Sequence, residues 1–217
     1  LSRMVEGIRL LGQCPDETRA RILATGEGFA SRLMVDVLQA RGYDAMWSDT
    51  DILPPANEDW LDSLVDVEAA APLIEARLAE RDSQVVVLPG FYGRNAAGKI
   101  QLMGRNGTDY TAACMAAASG AGLCQIWKDV DGFFTADPRI VTNARCLDEV
   151  SYEEAMELTY YGANVISAKA LMPLAANGMQ PAVTPGQGIT GPVVYVGSQR
   201  FAASDVLDWE GLRNALR

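Results

Sequence analysis

Residues 83–93 read SQVVVLPGFYG, and this stretch decides the fold class. Four consecutive apolar residues, Val85 to Leu88, stop at a Pro-Gly pair. β-Branched residues in an unbroken run, closed by a turn signal, predict a strand buried on both faces, as in a parallel sheet. Such strands need helical crossovers before and after them.

Those helices are readable on either side. Residues 68–81 (EAAAPLIEARLAER) suit a helix, with Pro72 in its first turn. Upstream, Met4, Ile8, Leu10 and Leu11 have helical spacing, and Pro15-Asp16 opens a second helical stretch. The segment TGEGFASRLMVDVLQARG predicts a helical face of Phe29, Leu33, Val37 and Leu38, ended by Gly42. YDAMWSD then predicts a short strand, and 58–66 an acidic surface stretch carrying Trp60 and Leu61. Downstream, AACMAAASGAG is a small-residue helix able to lie close on a sheet, and LCQIW is a further strand. SYEEAMELTYYGA predicts a helix with a Ser151 cap, Glu154 at the capping-box position and Gly162 near its end. PAVT and PVVYVG predict two last strands, and 201–217 a C-terminal helical tail after a domain of 1–200. Alternating strands and helices predict an α/β fold with a mainly parallel sheet.

The 217 residues suffice for one large domain or two small ones, and 49% hydrophobic residues support a sizeable core. A net charge of −10 opposes binding to nucleic acid or anionic membrane. There is no histidine, which excludes His-based acid–base chemistry, Ser-His-Asp triads and His metal sites. Four widely spaced cysteines with no C-x-x-C pair predict reduced thiols in a cytoplasmic protein and no protein-held metal centre. No apolar run reaches membrane-spanning length.

Ligands of open parallel sheets sit beyond the carboxyl ends of the strands. Three polar stretches fall there: LPGFYG with Gly90 and Gly93, MGRNGTDYTAA with Gly104, Gly107, Thr108 and Asp109, and IWKDVDGFFTADPR with Lys128, Asp129, Asp131 and Arg139. The second runs into a helix, whose N-terminal amides and dipole attract anions such as phosphate. Each alone also suits turns and caps; three at consecutive strand ends point to a site. Neither the Walker nor the dinucleotide glycine pattern occurs.

The strings ATGEGFASRLM (24–34), LPGFYGRNAAGKI (88–100), LMGRNGTDYTAA (102–113), IWKDVDGFFTADPRIV (126–141) and LDEVSYEEAMELTYYGA (147–163) stand in the order of one family. With them the chain resembles the aspartate kinase branch of the amino acid kinase family, especially the kinase portion of bifunctional aspartokinase–homoserine dehydrogenases. The resemblance implies a three-layer α/β/α sandwich, incomplete at the N-terminal side. It implies transfer of the ATP γ-phosphoryl group to the side-chain carboxylate of L-aspartate, with ATP and Mg2+ as cofactors. Unpaired strands of an incomplete sheet need a cover, which makes a homodimer the expected assembly. Glu27, Arg105 and Thr108 would hold aspartate, and Asp109, with Arg105, would act in catalysis. Gly90, Gly93, Lys128, Asp129, Asp131 and Arg139 would line the nucleotide. Phe134 reads as a core aromatic.

The chain also departs from that pattern. The Lys-Phe-Gly-Gly strand with which these kinases begin is not present, so an incomplete sheet is expected. In 160–175, Asn164, Ser167, Ala168 and Lys169 stand where the family usually has lysine, histidine, proline and arginine. A neutral amide at 164 hydrogen-bonds but cannot compensate phosphate charge. At 184–186, Thr-Pro-Gly replaces the usual Lys-Asn-Thr, and Lys128 replaces a threonine. Three functions therefore stay open: an aspartate kinase, a kinase-like binding or subunit-association module without catalysis, and a related amino acid kinase acting on another acidic substrate.

Overall fold

A computed structural model describes residues 1–80, 85–121, 123–126, 132–147, 150–161, 165–177 and 194–197. Helices α1 (Ser2–Leu11) and α2 (Asp16–Ala40) lead into strand β1 (Ala45–Trp47). A 3-10 turn at Thr50–Ile52 and helix α3 (Val67–Ala79) follow, then β2 (Val85–Val87), β3 (Tyr92–Arg94) and β4 (Ile100–Leu102). Next come α4 (Gly107–Ser119), β5 (Leu123–Ile126), α5 (Tyr152–Tyr160), α6 (Ala168–Ala176) and β6 (Val194–Gly197).

The crossover expected around 85–88 is present. β1 and β2 pair in parallel, Ala45 opposite Val85 and Trp47 opposite Val87, with α3 as the connection. The run is less enclosed than its composition predicts, because all three residues of β2 are half-buried. Among the described residues β2 has one strand neighbour, β1, so only one edge is paired. The other two described pairs, β3 with β4 and β5 with β6, are antiparallel. β3 and β4 form a hairpin whose loop closes on Asn95; its side-chain oxygen accepts from Ala97 N and Lys99 N at 3.1 and 3.0 Å.

α2 is a single 25-residue helix, continuous through Thr25-Gly26-Glu27-Gly28. Of the predicted face Leu38 is buried and Val37 half-buried, whereas Phe29 is 69% and Leu33 51% exposed. Small residues go inward instead. Ala20 and Ala24 pack on Tyr92 and Leu102 of the hairpin, and Val35 and Leu38 pack on Ala45 of β1. Close approach to two thin strand pairs favours alanine over phenylalanine. Lys99 ties the hairpin loop to the first turn of α2 through Glu17, at 2.9 Å.

α3 begins one residue before the predicted segment because Asp66 caps it, accepting from Ala69 N at 3.0 Å. Pro72 therefore lies in the second turn, not the first. α5 carries the predicted capping box: Ser151 Oγ accepts from Glu154 N at 3.2 Å, and Glu154 accepts from Ser151 N at 2.8 Å. Gly162 and the PAVT segment lie outside the described residues, as does the 201–217 tail, so the proposed 1–200 boundary stays a sequence reading. The core aromatic is Phe133, 1% exposed among Val150, Ala155 and Leu171; Phe134 is half-buried and bridges to Cys146. Burying one such ring contributes about 2–3 kcal/mol.

The main core surrounds α4, whose inner side meets Ile52, Ile74 of α3 and Leu174 of α6. Its alanines let α3 and α6 approach closely. Cys114 is fully enclosed there, and burial pushes its thiol up to about 12 from 9.0, against a smaller opposite effect of the Tyr110 hydrogen bond. All four cysteines are free thiols. In the unfolded chain Cys114 releases its proton first, so stability falls as pH rises from about 9 towards 12. Two results are expected: a lower urea midpoint at pH 10 than at pH 8, and no iodoacetamide labelling of Cys114 at pH 8 until urea is added. Labelling of Cys114 in the native protein at pH 8 would contradict this burial.

Candidate functional site

The carboxyl ends of β1 and β2 lie side by side, joined where Ser48 N donates to Val87 O at 2.8 Å. From β2 the chain runs through buried Pro89 to Gly90, directly against the start of α4. A Cβ at Gly90 would stand 2.6 Å from Thr108 Cγ2 and 2.9 Å from Thr108 Cα, so only glycine admits the helix this close. Phe91 adopts φ 75°, rare for a bulky residue. Its two backbone groups are both used: Phe91 N donates to Thr111 Oγ1 at 3.1 Å, and Phe91 O accepts from Met103 N at 2.7 Å. Backbone strain at such a position persists only where its surroundings fix it.

β4 delivers the GRNGTD turn. Gly104 and Asn106 are both left-handed, with φ 73° and 57°, and α4 starts at Gly107. Thr108 is exposed, and its hydroxyl donates to Glu27 Oε1 across a long 3.4 Å hydrogen bond. This joins α4 to α2 across 81 residues of sequence. Glu27 is twelfth of 25 helical positions, so it is not a first-turn carboxylate serving the helix dipole. Arg105 is exposed and forms no ion pair among the described residues. Asp109 is 5% exposed in the first turn of α4, where N-terminal amides favour a negative charge. Its charge reaches Cys124, whose thiol is pushed up to about 11, first by burial and then by Asp109.

Four expected residues thus gather at one place: Glu27, Thr108, Gly90 and, by chain continuity, Asp109. Arg105 precedes them on the exposed turn. Gly93 is buried and its open side is filled by packing; a Cβ there would collide with the Leu53 carbonyl oxygen and stand 2.7 Å from Met103 Cε. Arg139 is turned onto Asp137, with Nη2–Oδ2 at 2.9 Å, and holds that carboxyl below its usual range. Lys128, Asp129, Asp131 and Asn164, like 184–186, lie outside the described residues. Ser167, where the resemblance has histidine, caps α6, accepting from Ala170 N at 3.3 Å.

The sequence reading missed several polar groups around this cluster. Asp49, just after β1, caps the 3-10 turn through Thr50 N at 2.8 Å and accepts from Arg94 Nε at 3.0 Å. Tyr92, under α2, has its phenol pushed up by burial and then by the Asp49 charge. Lys169 of α6 reaches Asp62 at 2.6 Å and the Met103 carbonyl at 2.8 Å. A lone lysine beside Ala170 and Leu171 was the available signal, since those neighbours go into the core. Among the described residues no three Asp, Glu or Cys side chains converge on one point. Mg2+ needs only one or two protein carboxylates when phosphate oxygens and water complete its shell, so such a cluster is not required for it.

A Gly-rich turn feeding a helix N-terminus, with a carboxylate and an exposed arginine beside it, is suited to small anions. Residues 7–184 match the amino acid kinase family, and the chain belongs to it. It is 41% identical over 180 residues to the bifunctional aspartokinase/homoserine dehydrogenase of Buchnera aphidicola, covering 81% of this chain and 21% of that protein. It is 42% identical over 171 residues to the Haemophilus influenzae protein of the same name, covering 79% of this chain and 21% of the relative. The chain therefore spans about a fifth of the length of these curated relatives. Escherichia coli aspartokinase III, solved in complex with aspartate and ADP, superposes with a TM-score of 0.70 at 30% identity, covering 81% of this chain and 41% of that one. The three-layer α/β class expected from the sequence is the class of these structures.

Proposed function

We propose that the chain carries substrate- and nucleotide-binding residues of a phosphoryl-transfer cleft, in which the side-chain carboxylate of L-aspartate attacks the γ-phosphorus of Mg·ATP. The observation that carries this reading is the meeting of Glu27 and Thr108, from separate helices, beside an Arg105 with no ion pair among the described residues. Glu27 would take the substrate ammonium, and Arg105 a carboxylate through its planar fork. Thr108 would hydrogen-bond the substrate. The nucleophile is already an anion, so the reaction requires no histidine base; in-line positioning and charge neutralisation suffice. Asp109 would share Mg2+ with the phosphate oxygens, and the ion would supply charge neutralisation. Gly90 would act by letting the chain after β2 lie directly on the first turn of α4, whose amides would face the phosphates. Gly93, Lys128, Asp129, Asp131 and Arg139 are proposed along the nucleotide on resemblance.

The proposed setting is a cytoplasmic homodimer. Four free thiols support a reducing compartment, and exposed Leu10, Leu11 and Phe29 support a covered helix face. No helix of the described residues is long and apolar enough to cross a membrane.

The second reading is a non-catalytic binding module, favoured by the use of Ser167 as a helix cap. Incubation with L-aspartate, Mg·ATP and hydroxylamine decides between them. Aspartyl hydroxamate is the expected product. Calorimetric binding of L-aspartate without hydroxamate would leave the binding module, and absence of both would remove the assignment of the site.

A further inference from the structure

Lys169 is held by more partners than its place in the first turn of a helix requires. Its ammonium donates to Asp62 Oδ1 at 2.6 Å, to Ser63 O at 3.1 Å and to Met103 O at 2.8 Å. All three of its N–H donors are thereby used. The same nitrogen lies 4.9 Å above the Tyr110 ring, and the Tyr110 hydroxyl accepts from Val65 N at 3.0 Å. One side chain thus links α6 to the 62–65 segment, to the end of β4 and to α4.

Docking of α6 does not depend on these bonds, because Ala170, Leu171 and Leu174 already bury it. The bonds act on the other side, at the turn that carries Arg105. Met103 O belongs to the residue just before left-handed Gly104, two residues ahead of Arg105. Asp62 pairs with Met103 through an isolated bridge, and its carboxylate fills the space a Cβ on Gly104 would need. Ser63 N donates to Leu102 O at 2.7 Å, extending the same edge. Rotating the Met103–Gly104 peptide would break the ammonium contact and redirect Arg105 and the first turn of α4 together.

We propose that Lys169 is a positioning residue for the acidic substrate: its ammonium fixes the Met103 carbonyl and hence the direction of Arg105. The assignment rests on the reading of Arg105 as the carboxylate fork. Lys169 does not touch the substrate. Misplacement of a binding group by a fraction of its reach is felt strongly in affinity.

The test uses the full chain as wild type, Lys169→Met, Lys169→Arg and Asp62→Asn. Hydrogen exchange at the 104–108 amides is read without ligand, and L-aspartate and ADP affinities are read by calorimetry. In Lys169→Met, exchange at 104–108 rises about tenfold while α2 amides stay unchanged; aspartate binding weakens about tenfold, with ADP within about twofold. Lys169→Arg, which keeps the charge and its donors, restores most of both. Asp62→Asn alters an exposed side chain and gives a smaller rise in the same segment, so it decides the matter should Lys169→Met fail to fold. Aspartate binding with unchanged 104–108 exchange in Lys169→Met, or equal losses for both ligands, would overturn the role of Lys169. A wild-type chain that binds no L-aspartate would instead overturn the substrate reading, and the purpose assigned to Lys169 with it.

Discussion

Asp109→Asn is expected to lower phosphoryl transfer about 1000-fold, roughly 4 kcal/mol of transition-state stabilisation, with L-aspartate affinity within about threefold. The substitution is nearly isosteric and removes the negative charge. Asp109 lies 5% exposed as the third residue of α4, where the amides that favour its carboxylate also accommodate an amide side chain. The charge matters at the moment when phosphate oxygens and Mg2+ are rearranged around the transferring group. Hydroxamate formation at saturating substrates measures the loss, and thermal unfolding checks that the fold survives. Full activity in Asp109→Asn would reduce Asp109 to a helix-terminal carboxylate. The same variant should bring the Cys124 thiol down from about 11, because Asp109 contributes to that rise after burial.

Gly93→Ala is expected to destabilise the protein by about 3 kcal/mol, read as a lower urea midpoint with an unchanged slope. The added methyl meets the backbone oxygen of Leu53 and the end of Met103, and Leu53 is 0% exposed. A flexible methionine can yield; a buried backbone carbonyl cannot without moving the 3-10 turn before it. That turn carries Asp49, which Arg94 of the same strand holds. A loss below about 0.5 kcal/mol would show that this contact relaxes at little cost.

Much of the helical framework was legible because caps are local. Ser151 with Glu154, and the segment ending β4 in front of Thr108-Asp109, announce their helices within four residues. The buried face of α2 was legible only towards its C-terminal end, where Leu38 goes inward. Its large apolar residues suggest Phe29 and Leu33, yet the face that touches the strands is set by how near the helix lies, which selects Ala20 and Ala24. The β3–β4 hairpin escaped for a different reason: YGR and IQL are too short to show alternation, and only Asn95 with Gly98 marks the turn. The candidate site was argued from strand ends and resemblance, and what the structure adds is the hydrogen bond that joins Thr108 to Glu27. Lys169 stands out in the sequence only as a departure from the family pattern, since two of its partners are backbone carbonyls, one 66 and one 106 residues away. Carbonyls carry no signature in a sequence.

α2 rests on two separate supports, Ala20 and Ala24 on the hairpin and Val35 and Leu38 on the parallel pair. At 1.5 Å per residue its 25 residues make a rod of about 37 Å. Glu27 stands between the supports, near the middle. A rod held at both supports passes a displacement of either strand pair to its middle at about half amplitude. The carboxylate that meets Thr108 is therefore coupled to the hairpin and to the parallel pair at once, and it averages their positions rather than following either.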